Sequence, residues 1–353
     1  MKILIIDDGN KGNLIQSLGL AKNFLNSEID IISFRFKGFN YFLYGGRGKY
    51  SLIPKFFNIL CFLNLYKIGY SILYKNMDKK QKEIIKRDYD FIINTGSYLS
   101  AISMIISKIK RAKYIQIMLP SFIPIKKIDF LIIPYHDFLR LKKKKLKNLI
   151  ITNGSLNPFT KKELEEEAKI LENYIGKKYK KIIGILIGGN DQNYKIDVAW
   201  CEKFIEQLEK LKNKYDIILT TSKRTDFNVI GFLKEKLNKF ENLKYFEIPY
   251  ETKISHYKGI LGLSDIILVT EDSINMIFES LSVGKPVIVI GVKRKKKKLI
   301  FDYTIEKLVR ENFITYIPYE KIYTFEKEIL NSNKGKELNE AIKCVQKILE
   351  RLN

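Results

Sequence analysis

Short runs of branched apolar residues recur along this chain. Each is broken by a polar or glycine-containing turn and followed by a stretch of helical periodicity. The clearest case spans residues 264–290. Ile266 to Val269 has the length and branching of a buried strand. The segment from Ser273 to Ser282 then places Ile274, Ile277, Phe278 and Leu281 on one helical face. Gly284 closes that helix, and Pro286 opens the next strand at 287–290. Similar strand candidates lie at 2–6, 29–34, 91–94, 113–118, 130–133 and 149–151, and again at 182–187, 217–220 and 244–247. Helices of the second half are expected near 198–211, 226–240, 255–263 and 273–282. This alternation implies an α/β fold with parallel sheets covered by helices on both faces.

A chain of 353 residues exceeds one typical core and suits two domains. The expected division is 1–165 and 176–325, with the stretch 176–181 as linker. A charged helix at 161–174 leads into the second domain. The last segment, 335–353, carries an amphipathic helix with Ile342, Val345, Ile348 and Leu349 on its apolar face.

Hydrophobic residues make up 46% and charged residues 29%, a globular composition. The formal charge of +24 points to anionic partners: nucleic acid, acidic lipid or phosphorylated small molecules. Lys, Ile and Asn are all abundant, as in a lineage with an AT-rich genome, so part of the charge is compositional. The basic runs Lys142 to Lys145 and Lys293 to Lys298 lack the aromatic interleaving of nucleic-acid binders, and no specific nucleic-acid partner is expected. Each reads as a solvated loop, or as a contact to phosphate or an anionic membrane.

Cys61, Cys201 and Cys344 match no metal or redox spacing and read as buried free thiols of a reducing cytosol. His136 and His256 are the only histidines, too few for a histidine-based metal site. Met1-Lys2 leads straight into a strand, so no secretory signal is expected. The apolar stretch from Phe56 to Tyr66 falls short of the ~20 residues that span a bilayer. It reads as a buried helix. The alternative is an interfacial segment with Phe56, Phe57, Leu60, Phe62 and Leu63 facing lipid and lysines snorkelling at its ends.

Three strand-end groups in the second half carry candidate chemistry. Gly188-Gly189-Asn190 lets backbone N–H groups approach a phosphate, although Gly-Gly is also an ordinary turn. Thr220-Thr221-Ser222-Lys223-Arg224-Thr225 gathers four hydroxyls and two cations, suiting a diphosphate or a capped helix start. In Thr270-Glu271-Asp272-Ser273-Ile274-Asn275, Asp272 or Ser273 caps the helix, Glu271 is left free, and Ser273 and Asn275 offer hydrogen bonds near a helix N-terminus. Glu271 lies where open α/β sheets bind ligands. Glu279, eight positions on, is expected to face the same cleft and can accept bonds from two ribose hydroxyls. In the first half, His136 ends a strand and reads as a general base oriented by Asp137, or as a hydrogen-bonded loop histidine. Gly12, Asn13, Asn153 and Ser155 are polar turn residues expected on an acceptor side.

Together, DDGNKGNLIQSLGLA (7–21), IIPYHD (132–137), IITNGSLNPFT (150–160), ILIGGND (185–191), ILTTSKRT (218–225) and SDIILVTEDSINMIFESLSVGKPVIV (264–289) resemble the mitochondrial-fission protein family known from plants. Its bacterial members are classed with glycosyltransferases. The resemblance implies two Rossmann-like domains facing each other across a cleft, the GT-B type, with a terminal helix crossing back onto the first domain. The Glu-x₇-Glu pair looks like that of retaining enzymes, which would put Glu271 by the donor sugar and Glu279 on the ribose. The expected activity is metal-independent and needs no cofactor. It moves a sugar from a nucleotide diphosphate sugar to a cell-envelope glycan or lipid, in the cytoplasm or on the inner membrane face. The family equally admits a non-catalytic scaffold that keeps the fold and recruits a partner to a membrane. A nucleic-acid binder is a third reading, resting on charge alone.

Overall fold

The computed structural model describes residues 1–34, 52–121, 123–139, 141, 146–156, 159–176, 180–297, 299, 301–331 and 335–352. The side chains of residues 52–54 and of His136 fall outside this description. So do the basic run Lys142 to Lys145, Lys298, and residues 177–179 of the expected linker. The chain forms two compact units, Met1–Pro158 with Glu340–Asn353, and Phe159–Asn339.

The first unit holds strands β1 (Lys2–Asp7), β2 (Glu28–Ser33), β3 (Phe91–Thr95), β4 (Lys113–Ile117), β5 (Phe130–Pro134) and β6 (Leu149–Thr152). They lie in the order β2-β1-β3-β4-β5-β6, all parallel. Chain order reverses between β1 and β3, which opens a crevice at their carboxyl ends. Side chains alternate across the sheet. Ile3 and Ile5 face a core that includes Leu20 and the terminal helix Glu340–Glu350. Leu4 and Ile6 face a core built from helices Leu52–Phe62, Tyr66–Asn76 and Ser100–Lys110. The terminal helix buries Ala341, Cys344, Val345 and Ile348, whereas Ile342 is 40% exposed. Val345, Ile348 and Leu349 pack as expected, and Ile342 alone of the expected face lies outside it. Ala341 and Cys344 are buried in its place.

The second unit holds β7 (Lys181–Ile187), β8 (Tyr194–Lys195), β9 (Tyr215–Thr221), β10 (Leu243–Glu247), β11 (Ile266–Thr270), β12 (Val287–Ile290), β13 (Lys293–Arg294) and β14 (Thr315–Ile317). Six of these form a parallel sheet in the order β10-β9-β7-β11-β12-β14. β8 and β13 pair antiparallel as a separate ribbon. The ribbon and β14 were not among the expected strands. They are too short to show a period of two, and β13 opens a basic run that reads as a loop. Alternate residues such as Ile183/Ile185 and Ile182/Leu186 feed two cores, so both faces are covered. The three cysteines are buried and free.

Helix Lys161–Ile175 belongs to the second unit and starts on a capping box between Thr160 and Glu163. It packs on helix Tyr257–Leu263 so closely that a Cβ at Gly262 would stand 2.5 Å from the Leu164 carbonyl oxygen. Backbone cannot yield as a flexible side chain can, so Gly262→Val should destabilise by roughly 1–3 kcal/mol. At Gly231, within helix Phe227–Leu237, a Cβ would meet nothing within 4 Å. Gly231→Ala should therefore stabilise by about 0.5–1 kcal/mol through helix propensity. Urea unfolding of the two variants checks both signs.

Candidate functional site

The second unit reverses strand order between β7 and β11, and the sequence-predicted groups gather at that carboxyl edge. Gly188 N–H donates to Thr270 Oγ1 at 2.8 Å. Gly189 N–H donates to Asp272 Oδ2 at 2.8 Å, and Thr270 Oγ1 donates to Asp272 Oδ1 at 2.7 Å. Arg224 Nη2 adds a 2.8 Å bond to Asp272, and Nη1 donates to the Gly189 carbonyl at 3.2 Å. Asn190 N–H donates to the Arg224 carbonyl, and Thr225 Oγ1 donates to the Gly188 carbonyl. One carboxylate thus ties together the turns after β7, β9 and β11. The tightness explains both glycines. A Cβ at Gly188 would fall 2.1 Å from Asp272 Oδ2, and one at Gly189 would fall 2.1 Å from the Arg224 backbone carbon.

This geometry corrects several sequence expectations. Neither Asp272 nor Ser273 caps helix Ile274–Leu281. Ser273 occupies the cap position without a side-chain bond, and Asp272 is held by the donors just named. Burial pushes the Asp272 carboxyl up, and those donors pull it back. Thr220 and Thr221 belong to β9 rather than to the loop, because β-branched residues extend a strand. Ser222 and Thr225 close a local turn: Ser222 Oγ accepts from Arg224 N–H at 3.0 Å, and Thr225 Oγ1 from Ser222 N–H at 2.9 Å. Asn190 Oδ1 accepts from Ile196 N–H at 2.7 Å, which turns it back onto its own loop. Lys223 and Asn275 are exposed, and the Arg224 side chain is 40% exposed.

Glu271 is not free. It is buried, accepting from Val292 N–H at 2.9 Å, from Tyr316 Oη at 2.9 Å and from two nitrogens of Arg294. Arg294 Nη1 also reaches Asp302 at 2.9 Å. The Glu271 bond holds the Arg294 guanidinium above its ordinary range. Glu279 instead accepts from Tyr257 Oη. Burial raises its carboxyl from 4.5 to about 7, with the tyrosine bond pulling part of the way back. Among the described residues no partner joins these two sets. Glu271 is bound toward β12 and β14, and Glu279 toward helix Tyr257–Leu263. The shared cleft expected from their spacing is not what the bonding shows.

In the first unit, Asn13 Nδ2 donates to Asp8 Oδ2 at 2.9 Å, and a Cβ on Gly96 would stand 2.8 Å from Asn13. Gly12 N–H donates to the Asn10 cap. Both residues therefore sit by the β1–β3 crevice. Asp137 lies on the short helix Tyr135–Phe138 after β5, and Asn153 and half-buried Ser155 follow β6. Asn153 Nδ2 donates to Glu340 Oε1 at 3.2 Å. β6 is four strands from β1, about 19 Å at ~4.8 Å per strand, so the acceptor-side candidates form two groups rather than one. The His136 side chain lies outside the described residues.

Sequence reasoning passed over Arg294, Tyr257, Tyr316 and Thr270. Arg294 was hidden in a basic run whose default is solvent. One signal was available: it follows β12 at the same sheet edge that carries Glu271.

The family model described as "Mitochondrial fission ELM1" matches residues 11–352. The chain belongs to this family. The Rickettsia prowazekii (strain Madrid E) protein named "Uncharacterized protein RP120" is 23% identical, covering 99% of each chain. Among solved structures, the UDP-GlcNAc 2-epimerase of Neisseria meningitidis bound to UDP-GlcNAc is similar with a TM-score of 0.53 and 12% identity, covering 100% of this chain and 99% of that one. The Methanocaldococcus jannaschii UDP-GlcNAc 2-epimerase in complex with UDP-GlcNAc and UDP gives 0.52 and 16%, with 100% and 99% covered. For this member of the ELM1 family, such likeness establishes the two-Rossmann-domain, GT-B-type fold, which is glycosyltransferase-like.

Two outcomes follow from the acidic pair. Glu271→Gln should lower stability by roughly 2–4 kcal/mol, because it removes the buried carboxylate that holds Arg294 and leaves the guanidinium with Asp302 as its one remaining acidic partner. Glu279→Gln should cost less at neutral pH, and urea titrations of both variants check the order. The raised Glu279 carboxyl binds its proton more tightly in the folded chain than in the unfolded one. Its stabilisation is therefore complete below about pH 4.5 and lost as pH rises through about 7. From about pH 5 to about pH 8 the wild type should lose stability relative to Glu279→Gln. Parallel pH profiles of the two proteins would refute the assignment.

Proposed function

We propose that the second unit binds a nucleotide diphosphate sugar and that this ELM1-family protein transfers the sugar to an acceptor. The observation carrying this reading is the start of helix Ile274–Leu281. It lacks a side-chain cap and lies at the β7–β11 crevice, where the turns bearing Gly188-Gly189 and Lys223-Arg224 are tied to Asp272. Open N–H groups at a helix start attract anions, and two cations reinforce them. Arg224 has five N–H donors, of which the two bonds to Asp272 and Gly189 leave others for phosphate. These groups stabilise a departing diphosphate without calling on a metal ion. The fold relatives with UDP-GlcNAc or UDP bound support the ligand class.

Within the proposal, Glu279 takes the ribose hydroxyls once deprotonated, exchanging its bond to Tyr257 for bonds to the ligand. Glu271 acts through Arg294, holding the guanidinium at the carboxyl end of the sheet instead of touching the sugar itself. On the acceptor side, His136 serves as base for the acceptor hydroxyl from its place after β5, with Asp137 beside it in sequence.

The internal pairing of Glu271 with Arg294 and of Asp272 with Arg224 favours a second reading, a scaffold that retains the fold with its charges satisfied. Calorimetry with UDP and with uridine separates the two readings. UDP should bind, and Lys223→Ala should weaken it by about tenfold with uridine unchanged, since a lost charged contact to phosphate affects only phosphate-bearing ligands. Arg224→Ala should weaken UDP further, at some loss of stability from the unpaired Asp272. Equal loss for both ligands would refute the phosphate role, and no binding of nucleotide diphosphates or their sugars would favour the scaffold.

A further inference from the structure

The first unit carries a helical hairpin whose outer side is unlike the rest of the surface. Helices Leu52–Phe62 and Tyr66–Asn76 are joined at Asn64, which adopts a left-handed φ of 60°. Phe57, Leu60 and Cys61 face the core. Phe56, Ile59, Phe62, Leu63, Leu65 and Ile68 do not, and Phe62 is 73% exposed. The interfacial alternative read from the sequence groups Phe57 and Leu60 with the outward residues, and the buried-helix reading turns the whole stretch inward. The structure divides them, and Ile59, Leu65 and Ile68 complete the outer face. These six fall within thirteen residues, and no other thirteen described residues expose more than two large apolar side chains. Apolar groups clustered in this way mark a contact surface.

Charge identifies what covers it. Lys55 and Lys67 are exposed beside the apolar residues, and Lys126 is exposed on the adjoining turn Ile125–Lys127. Lys127 Nζ donates to Asn64 Oδ1 and lies 5.9 Å from the Tyr66 ring centre, which pins that turn to the hairpin tip. The described stretch 52–77 carries Lys55, Lys67 and Lys75 and no acidic residue. No helix among the described residues is long and apolar enough to cross a membrane. A protein partner would ordinarily meet mixed charge. A single-sign rim around an apolar tip matches an anionic lipid surface, with the tip below the headgroups and the lysines at phosphate level.

We propose that the tip Phe62-Asn64-Leu65, with Phe56, Ile59, Leu63 and Ile68, inserts into the interface of anionic membranes, and that Lys55, Lys67, Lys126 and Lys127 hold the lipid phosphates. The proposal does not rest on the nucleotide reading, since every residue it uses lies in the first unit.

Vesicle flotation tests it. The full chain should float with phosphatidylcholine vesicles containing about 30% phosphatidylglycerol and stay behind with phosphatidylcholine alone. Phe62→Gln with Leu63→Gln should weaken flotation by roughly tenfold or more, with the far-UV spectrum unchanged because both side chains are exposed. Leu25→Gln, at an exposed site elsewhere in the same unit, should float like the wild type. Trp200, the single tryptophan, is fully buried, so Phe62→Trp adds a reporter whose emission should shift to the blue with anionic vesicles. The proposal falls if the double variant floats like the wild type, which would leave only bulk charge. It falls if neutral and anionic vesicles bind equally. It also falls if the wild type ignores vesicles but is a dimer that the double variant breaks, which would make a second copy the occupant.

Discussion

The Asp272 carboxylate is the interaction on which the candidate site depends. It lies at the end of β11, is buried, and takes hydrogen from Gly189, Thr270 and Arg224. A buried carboxylate without donors would neutralise itself or unfold its surroundings. With them it fixes three loops that the sheet alone only brings near one another. Gly188 and Gly189 follow from it, because the space their side chains would fill belongs to Asp272 and to the Arg224 backbone. The glycines therefore shape the crevice through packing first, and any access they give to a ligand is a consequence of that packing.

The same edge separates two carboxylates that spacing alone would join. Helical geometry over eight residues allows Glu271 and Glu279 to share a side, but Glu271 lies before the helix starts, on the turn leaving β11. Its direction is set by the strand and by Arg294, and that of Glu279 by the helix and Tyr257. Their chemistry differs accordingly. Glu271 is tied to the Arg294 guanidinium, whereas Glu279 lies beside a neutral phenol and burial raises its carboxyl to about 7.

The strands that were legible in the sequence are those long enough to carry a pattern, such as β7 and β11, and the helix after β11 was legible from its closing Gly284 at φ 69°. The strands β8, β13 and β14 span two or three residues and are set by tertiary pairing, so no local signal marks them. Site residues at strand ends were legible for the same reason: topology puts loops there. Their bonding was not, because Arg294 and Tyr316 lie 23 and 45 residues from Glu271 and meet it only when β12 and β14 take their places.

The two units each hold six parallel strands but order them differently, β2-β1-β3-β4-β5-β6 against β10-β9-β7-β11-β12-β14, and their crevices differ in charge. Each reverses strand order beside its first strand, and each places a helix start there. In the first unit the start of helix Lys11–Ala21 is capped by Asn10, and the turn before it carries Asp7 and Asp8. In that turn Asp8 accepts from Asn10 and Asn13, and Asp7 from Gly9 and Ser33. The arrangement satisfies the helix start internally and sets two carboxylates before it, with Lys11 exposed at its first position. In the second unit the helix start is uncapped, Asp272 is neutralised by Arg224, and Lys223 stands exposed. The field at a helix N-terminus decays within about one turn, so such local differences govern what binds. Under the proposed function, the second crevice takes the diphosphate and the first is left to the acceptor.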